Sequence, residues 1–197
     1  MLSVRVGLFL ALTAVGACAA PQPEPQPEPL STSLDDPEAY VVYEHALAEL
    51  RWPVTFVKQE TTIGFPHPPK NVVCDPYLSP DYDESWQSVL DDYVRQNSIK
   101  RTLRPLFAFR LLASEKIESA FRASPDVDWT RFWNEIDRNG YAEVSAVGFD
   151  KGKTRAIVYS ALHCGGTCGK GMHTAWEKRG GRWEAAPVLS RSCEWRS

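Results

Sequence analysis

The chain has 197 residues, with 22 basic and 25 acidic side chains, and 43% of its residues are apolar. This length and composition predict one globular domain, large enough to bury a sizeable core without the help of disulfides. The net charge of −3 argues against a general nucleic-acid binder, because that function needs a basic surface. The apolar run at the N-terminus is too short for a membrane-spanning helix.

Residues 1–17 have the pattern of a bacterial secretory signal peptide. Arg5 supplies the positive charge near the start, and residues 6–15 form a short apolar segment. We therefore predict that the chain is exported, and we exclude these residues from the folded domain.

Two small residues, Gly16 and Ala17, stand directly before Cys18. This spacing resembles the lipobox of bacterial lipoproteins, a family in which the chain is cut before the cysteine and the cysteine is acylated. Two or three acyl chains give stable anchoring, whereas one chain is marginal. Because Ala19 is not Asp, the resemblance implies an outer-membrane anchor with the domain in the periplasm. The alternative is an ordinary signal cut near Ala19 or Ala20, which would leave a soluble periplasmic or secreted protein.

Residues 18–34 are predicted to be the lipidated cysteine and a proline-rich spacer. Residues 21–29 repeat a Pro-Gln-Pro-Glu unit, which favours polyproline II and disfavours helix and sheet. The spacer could hold the domain about 45–50 Å from the membrane at ~3.1 Å per residue. Without residues 1–17 the chain keeps 21 basic and 25 acidic residues, a net charge of −4. The lipid, rather than a basic patch, would therefore hold the protein at an anionic membrane surface.

The folded domain is predicted to span residues 35–197 and to begin with a helix. Asp36 is an N-cap residue, and Pro37 and Glu38 fit the first turn. The apolar residues that follow recur at helical spacing up to Pro53: Tyr40, Tyr43, Leu47 and Leu50. Residues 54–58 alternate around Phe56 and predict a strand.

A long segment, residues 59–83, carries five prolines and no periodic pattern. Loops of this length are unusual inside a compact domain, so we expect a functional surface or a segment held by Cys74. Its candidate binding residues are Phe65, His67 and Tyr77.

Three more helices and one strand are predicted in the middle of the chain. The first helix is capped by Asp83 and has an apolar stripe formed by Trp86, Val89, Leu90, Tyr93 and Val94. Residues 106–112 form a buried strand, and Ser114 caps a short helix that carries Ile117 and Phe121. The last helix is capped by Asp128, carries Trp129, Phe132, Trp133 and Ile136 on one face, and ends before Gly140. We assign these aromatic stripes to the core rather than to a cofactor site.

The last third of the chain changes from helical to strand periodicity. Four runs are rich in β-forming residues, at 141–149, 154–163, 172–178 and 182–186. Glycine-containing turns separate the members of each pair, and Gly180 and Gly181 supply the positive φ values of a tight hairpin. We therefore predict an α+β fold, in which N-terminal helices pack on a C-terminal antiparallel β-meander in a single domain.

The segment from His163 to His173, with sequence HCGGTCGKGMH, concentrates the chemistry-bearing residues. It lacks the glycine and hydroxyl positions of a phosphate-binding loop, and no Gly-x-Ser-x-Gly elbow of a serine hydrolase exists in the chain. Zinc binding by Cys164 and Cys168, a redox dithiol and a Cys–His nucleophile remain as alternatives. An exported chain favours disulfides over free thiols, so we favour a structural disulfide.

Four cysteines remain when the lipidated Cys18 is set aside, and four cysteines allow three connectivities. We favour Cys164–Cys168, which closes a small glycine-rich loop, together with Cys74–Cys193, which closes a very long one. The predicted binding surface of the hairpin comprises His163, Lys170 and His173.

Four segments of the last third carry a family resemblance: Ser145–Phe149, Thr154–Tyr159, Cys164–Gly171 and Glu177–Trp183. Together they resemble a family of uncharacterised bacterial secreted proteins, which has a Val-Gly-Phe hairpin, a Cys-Gly-x-x-Cys-Gly-x-Gly loop and a Lys-x-x-Gly-x-Trp hairpin. The resemblance covers residues 129–195, and the N-terminal half only loosely. Residues 172–176 depart from the aliphatic strand that the family has there. The resemblance implies secretion and carries no catalytic residue.

These patterns predict a lipid-anchored envelope protein that works as a non-catalytic binding or interaction module. No catalytic residue, metal or cofactor is predicted; the membrane is a partner through the lipid, and an envelope protein or cell-wall component is the expected further partner. One alternative is a secreted thiol- or metal-dependent enzyme that uses the 163–173 segment, and a purely structural or stress-related envelope protein is another.

Overall fold

The computed structural model describes residues 30–62, 84–105, 109–122, 129–187 and 194–197. Within these ranges the helices are α1 (Pro37–Glu49), α2 (Gln87–Gln96), α3 (Ser114–Phe121) and α4 (Trp129–Glu135). The strands of the N-terminal half are β1 (Ser33–Leu34), β2 (Phe56–Lys58), β3 (Thr102–Leu103) and β4 (Arg110–Leu112). Those of the C-terminal half are β5 (Tyr141–Val144), β6 (Gly148–Phe149), β7 (Arg155–Gly165), β8 (Cys168–Arg179), β9 (Arg182–Ala186) and β10 (Glu194–Arg196).

Eight of these strands form one mixed sheet, in the order β10-β8-β7-β5-β2-β4. Strand β6 joins β5 on the same side of β7, and β9 joins β10 on the outer side of β8. The pairs β5–β7, β7–β8 and β8–β9 are antiparallel, and they form the predicted meander. The fold is therefore α+β, as predicted, and its described parts pack as one domain.

The sheet also contains parallel strand pairings that the sequence analysis did not predict. Strand β2 pairs in parallel with both β4 and β5, so the N-terminal half extends the meander. Strands β1 and β3 form a separate parallel pair. These short strands come from distant parts of the chain, and the local periodicity of a strand does not predict which other strand it pairs with.

Helices cover both faces of the sheet. Neighbouring strand residues point to opposite faces, and Val158 belongs to the core cluster that contains α1, whereas Ile157 packs with α2. In the same way, Val57 faces α1, and Phe56 packs with Phe132 of α4 and with α3. The molecule is therefore layered, with α1 on one face and α2, α3 and α4 on the other.

Helix α1 begins as its sequence predicts and ends at Glu49, before the predicted stop at Pro53. The Asp36 carboxylate accepts a hydrogen bond from the Glu38 amide at 3.2 Å, and Pro37 is the first helical residue. The buried face is the predicted one, since the side chains of its predicted apolar residues are at most 4% exposed: Tyr40, Tyr43, Leu47 and Leu50. The residue after the C-cap is Arg51, which has a φ of 51°.

Helix α2 buries most of its predicted stripe, but Val94 is 50% exposed. Val94 lies at the edge of the stripe, about a quarter of a turn from the centre of the buried face, so the sheet does not reach it. Asn97, which follows the helix, is buried. Its side-chain amide donates hydrogen bonds to the Tyr93 and Ala146 carbonyls at 2.8 and 3.0 Å. Gly148 of β6 lies against the Tyr93 backbone, where a Cβ would clash.

Several predicted details differ in the structure. The N-cap position of α3 is Ala113, and Ser114 is the first helical residue, whose hydroxyl bonds the Glu60 carboxylate at 3.1 Å. Trp133 is 38% exposed, because α4 rotates its neighbour Phe132 into the core instead. Strand β4 covers the last three residues of the predicted buried strand and begins with exposed Arg110, while residues 106–108 of that prediction lie outside the described residues. The predicted caps Asp83 and Asp128 lie outside the described residues.

Residues before the predicted domain boundary at Asp35 take part in the fold. Leu34 is 3% exposed, and β1 pairs with β3. The Tyr40 hydroxyl donates to the Leu34 carbonyl at 2.8 Å. Ser33 and Leu34, which the sequence analysis placed in the spacer, therefore belong to the folded unit. Among the described helices, none combines the length and the hydropathy that a transmembrane helix requires.

Candidate functional site

The glycine-rich segment forms the end of the β7–β8 hairpin. Gly165 pairs with Cys168, and a disulfide joins Cys164 to Cys168 with a Cα–Cα distance of 5.1 Å. This confirms the predicted short-range disulfide. Both sulfurs are bonded to each other, so neither is a thiolate that could attack a substrate or bind zinc. Cys18, Cys74 and Cys193 lie outside the described residues, and the pairing Cys74–Cys193 stays a prediction.

Trp133 of α4 packs on this end of the hairpin. Its indole nitrogen donates a hydrogen bond to the Cys164 carbonyl at 3.2 Å. A Cβ at Gly165 would lie 3.3 Å from the same ring. The partly exposed Trp133 therefore braces the disulfide loop, a role that its helical periodicity did not indicate.

Two of the hairpin glycines make room for Trp195 on the last strand. A Cβ at Gly171 would lie 2.5 Å from the Tyr159 hydroxyl and closer still to the Trp195 indole nitrogen. A Cβ at Gly169 would lie 3.1 Å from the Trp195 ring. The Trp195 nitrogen donates to the Tyr159 hydroxyl at 2.8 Å, so the ring lies across β8 and reaches β7. Close approach of this ring, rather than a phosphate or a turn, explains Gly169 and Gly171.

His163 lies on the same face of the sheet as Trp195. Its Nε2 is 3.2 Å from the Glu143 carboxylate, and Lys58 lies 3.8 Å from the other oxygen of that carboxylate. Tyr141 stacks on the imidazole at a centroid distance of 5.0 Å, and Trp195 lies at 5.8 Å. Burial raises the pKa of Glu143, but His163 and Lys58 outweigh burial and hold it below its ordinary value. A carboxylate-held imidazole can act as a general base, but Tyr141 and Trp195 flank this ring and its Nε2 is buried.

His173 is buried, and its ring packs against Tyr159 at 5.0 Å and Tyr93 at 5.8 Å. Burial lowers the pKa of His173 to about 4. The imidazole is therefore neutral at physiological pH and forms part of the core beneath α2. Residue 173 borders the cleft described next through its place in β8.

Lys170 lines a cleft of about 440 Å³ on the sheet face that α1 covers. Lys170 and Leu162 are paired across the hairpin and share a face, so Lys170 and His163 point to opposite faces. The floor and walls come from β8, the end of β9 and the residue after it: Met172, His173, Thr174, Ala175, Trp176, Ala185, Ala186 and Pro187. The charged rim comprises Glu49, Arg51, Lys170, Glu194 and Arg196.

The electrostatics of the cleft centre on Lys170. Burial lowers the pKa of Lys170, and the charges of Arg196 and Arg51 lower it further, while Glu194 and Glu49 oppose them. Arg196 is paired with Glu194 at 3.3 Å. Within the part of the chain that the structure describes, neither Lys170 nor Arg51 has an ion-pair partner. The cleft thus contains two unpaired cations in a protein whose net charge is negative.

The structure separates the three predicted surface residues. Lys170 lines the cleft, His173 is buried beside it, and His163 lies on the other face. Sequence reasoning missed Arg51 and Arg196, which are separated from Lys170 by 119 and 26 positions. Since they sit on different elements, only the packing of α1 and β10 on β8 brings them to the cleft. A positively charged residue directly after a helix was the one local signal at Arg51.

The predicted binding residues Phe65, His67 and Tyr77 lie outside the described residues. Across the described ranges, no three His, Cys, Asp or Glu side chains are close enough to hold a metal ion. In comparisons with known proteins, no protein-family model matches the chain, and neither curated proteins nor solved structures match it.

Proposed function

We propose that the chain is a lipid-anchored binding module of the bacterial envelope, without catalytic activity, and that its ligand occupies the Lys170 cleft. The observation that carries this proposal is the cleft itself. Its volume of about 440 Å³ is in the range of about 300–1,000 Å³ that is usual for ligand pockets. Its residues stand on α1, β8, β9 and β10, and a site on regular elements is held more precisely than a site on loops.

Two contacts hold the end of the hairpin next to Lys170. The Cys164–Cys168 disulfide closes one end, and Trp195 lies across the strands next to it. A ligand would therefore meet a preformed surface, which lowers the entropy cost of binding.

The anchor is proposed from the sequence before Cys18 and from the proline-rich spacer. Replacing Cys18 with Ser should prevent acylation and move the protein from the membrane fraction to the soluble fraction. Mass spectrometry of the wild-type N-terminus should show an acylated Cys18. An unmodified mature chain that starts at Ala20 or Pro21 would contradict the anchor and favour the soluble periplasmic alternative.

The binding role can be tested with a photo-crosslinking amino acid in intact cells. We expect the probe at Thr174, inside the cleft, to give one adduct of defined mass, which the substitution Lys170→Gln removes. The same probe at Ser119 on the exposed side of α3 is the matched control and should give no such adduct. No adduct at residue 174, or the same adduct at both positions, would contradict a ligand in the cleft.

The alternative is a secreted thiol- or metal-dependent enzyme that uses the 163–173 segment. Its thiol and zinc forms need free sulfurs at Cys164 and Cys168, which the disulfide does not provide. Titration of free thiols in protein purified from the envelope, with and without reductant, separates the two proposals. Two free thiols at these positions before reduction would favour the enzyme.

A further inference from the structure

We propose that the Lys170 cleft binds a phosphate group of an envelope component, with Lys170, Arg51 and Arg196 as its cationic donors. The inference rests on the proposed binding role of the cleft and adds the chemical class of the ligand.

The three cationic side chains come from three different elements. Lys170 belongs to β8, Arg196 to β10, and Arg51 follows the last turn of α1. Packing brings these elements to one cleft, where the charges of Arg51 and Arg196 repel that of Lys170. That repulsion contributes, after burial, to the lowered pKa of Lys170. A bound anion would relieve it, so the site gains more from an anion than an isolated surface lysine would.

Arg51 follows the C-cap of α1, a position where a helix that ends in a left-handed residue usually has glycine. Its φ of 51° is in the left-handed region, which disfavours residues with a Cβ. Glycine would be conformationally better here, yet the residue is an arginine whose side chain lines the cleft. Trp52, the next residue, holds the backbone by donating to the Asn139 carbonyl at 3.1 Å. A function for the guanidinium would account for a backbone strain of this kind.

Two carboxylates on the rim reduce the positive charge of the cleft without neutralising it. Glu194 contacts Arg196 at 3.3 Å and fixes the direction of its guanidinium. Glu49 stands on the last turn of α1 and keeps the excess of positive charge small. The rim carries three cations and two anions, which suits a ligand with one concentrated negative group rather than a long polyanion.

A phosphate fits three converging donors better than a carboxylate does. A carboxylate has two oxygens and one negative charge, and one arginine fork can satisfy it. A phosphate monoester carries about −1.5 to −2 charges and three acceptor oxygens, so it can accept from a lysine and two arginines together.

The test is a calorimetric titration of the full mature chain with pyrophosphate at constant ionic strength, in dodecyl maltoside micelles, which contain no phosphate. We expect saturable binding that Lys170→Gln and Arg51→Gly each weaken by roughly tenfold, the equivalent of about 1.4 kcal/mol. Arg51→Gly removes a charge while relieving the backbone, so its melting temperature should not fall and a folding defect cannot explain the loss.

The matched control is Lys153→Gly, which also removes one cation from a residue with positive φ, 49° in this case. Lys153 pairs with Asp36 and lies away from the cleft, so its substitution should leave pyrophosphate binding unchanged. Absence of saturable binding by the wild type, or equal weakening in Lys153→Gly and Arg51→Gly, would overturn the proposal.

A second arm distinguishes the sources of the phosphate. Adding phosphatidic acid, a lipid whose headgroup is a phosphate monoester, to the same micelles should lower the apparent pyrophosphate affinity of the wild type if the natural ligand is a lipid headgroup. An unchanged affinity would support a soluble or glycan-borne phosphate. Failure of pyrophosphate binding would reject the phosphate while the crosslink at Thr174 could still support a ligand of another class, so the two proposals fail separately.

Discussion

At the scale of single residues, Gly171 decides how the last strand packs. Trp195 and the Tyr159 hydroxyl occupy the space that a Cβ at residue 171 would need. We predict that Gly171→Ala lowers the free energy of unfolding by about 1–3 kcal/mol, the usual cost of overpacking. Urea denaturation measures this change. Gly166→Ala is the control, because a Cβ there meets nothing within 4 Å. Equal stability of both variants would show that Trp195 does not lie across β8.

His173 gives the fold a dependence on pH. Its ordinary pKa is 6.5 and its pKa in the folded chain is about 4. Below pH 6.5 residue 173 is therefore protonated in the unfolded chain but stays neutral in the folded chain. The free energy of unfolding falls as the pH is lowered towards 4. The loss is about 3 kcal/mol at most, at 1.36 kcal/mol for each pKa unit.

The test compares the wild type with His173→Phe, which keeps an aromatic ring between Tyr93 and Tyr159. Between pH 7 and pH 4, the free energy of unfolding of the variant should fall by less than that of the wild type, because the variant lacks the titrating group. Glu143 titrates in both proteins and cancels in the comparison. Curves that stay parallel over this range would contradict a buried neutral histidine.

At the scale of elements, the disulfide fixes the end of the β7–β8 hairpin without holding the fold together. Cys164 and Cys168 are four positions apart, so their bond closes a short loop and removes little entropy from the unfolded chain. We predict that replacing both with Ala costs about 2 kcal/mol or less by urea denaturation. The contact between Trp133 and the Cys164 carbonyl should loosen, which tryptophan fluorescence can follow.

The same double variant tests the second predicted disulfide. If Cys74 and Cys193 are bonded, adding reductant should lower the stability of the variant further, since that bond closes a long loop. Non-reducing peptide mapping should find both pairs. If the variant is equally stable with and without reductant, the Cys74–Cys193 pairing is wrong.

At the scale of the whole molecule, the boundary between spacer and domain lies before Ser33. Deleting residues 19–30 should leave the urea denaturation curve unchanged, because it removes neither β1 nor its contacts. Deleting residues 19–34 also removes β1 and the buried Leu34, whose burial stabilises the fold by about 1.5–3 kcal/mol. Identical curves for the two deletions would show that β1 contributes nothing.

Local patterns of the sequence predicted much of the architecture correctly. The cap at Asp36, the buried face of α1, the hairpin turns and the α+β class follow from interactions within a few residues, which a single chain segment displays. The Cys164–Cys168 disulfide was predictable for the same reason, since its partners are close in sequence and glycines flank them.

The sequence by itself determined the four helices, the strands of the meander, most of their buried faces and the short disulfide. Only the tertiary structure decided that β2 joins β5 in parallel, that Lys170 and His163 face opposite sides, and that Arg51 and Arg196 share a cleft with Lys170. Those arrangements depend on which distant elements pack together. The packing of distant elements depends on the sum of many weak contacts, and no local periodicity or spacing in the sequence predicts it.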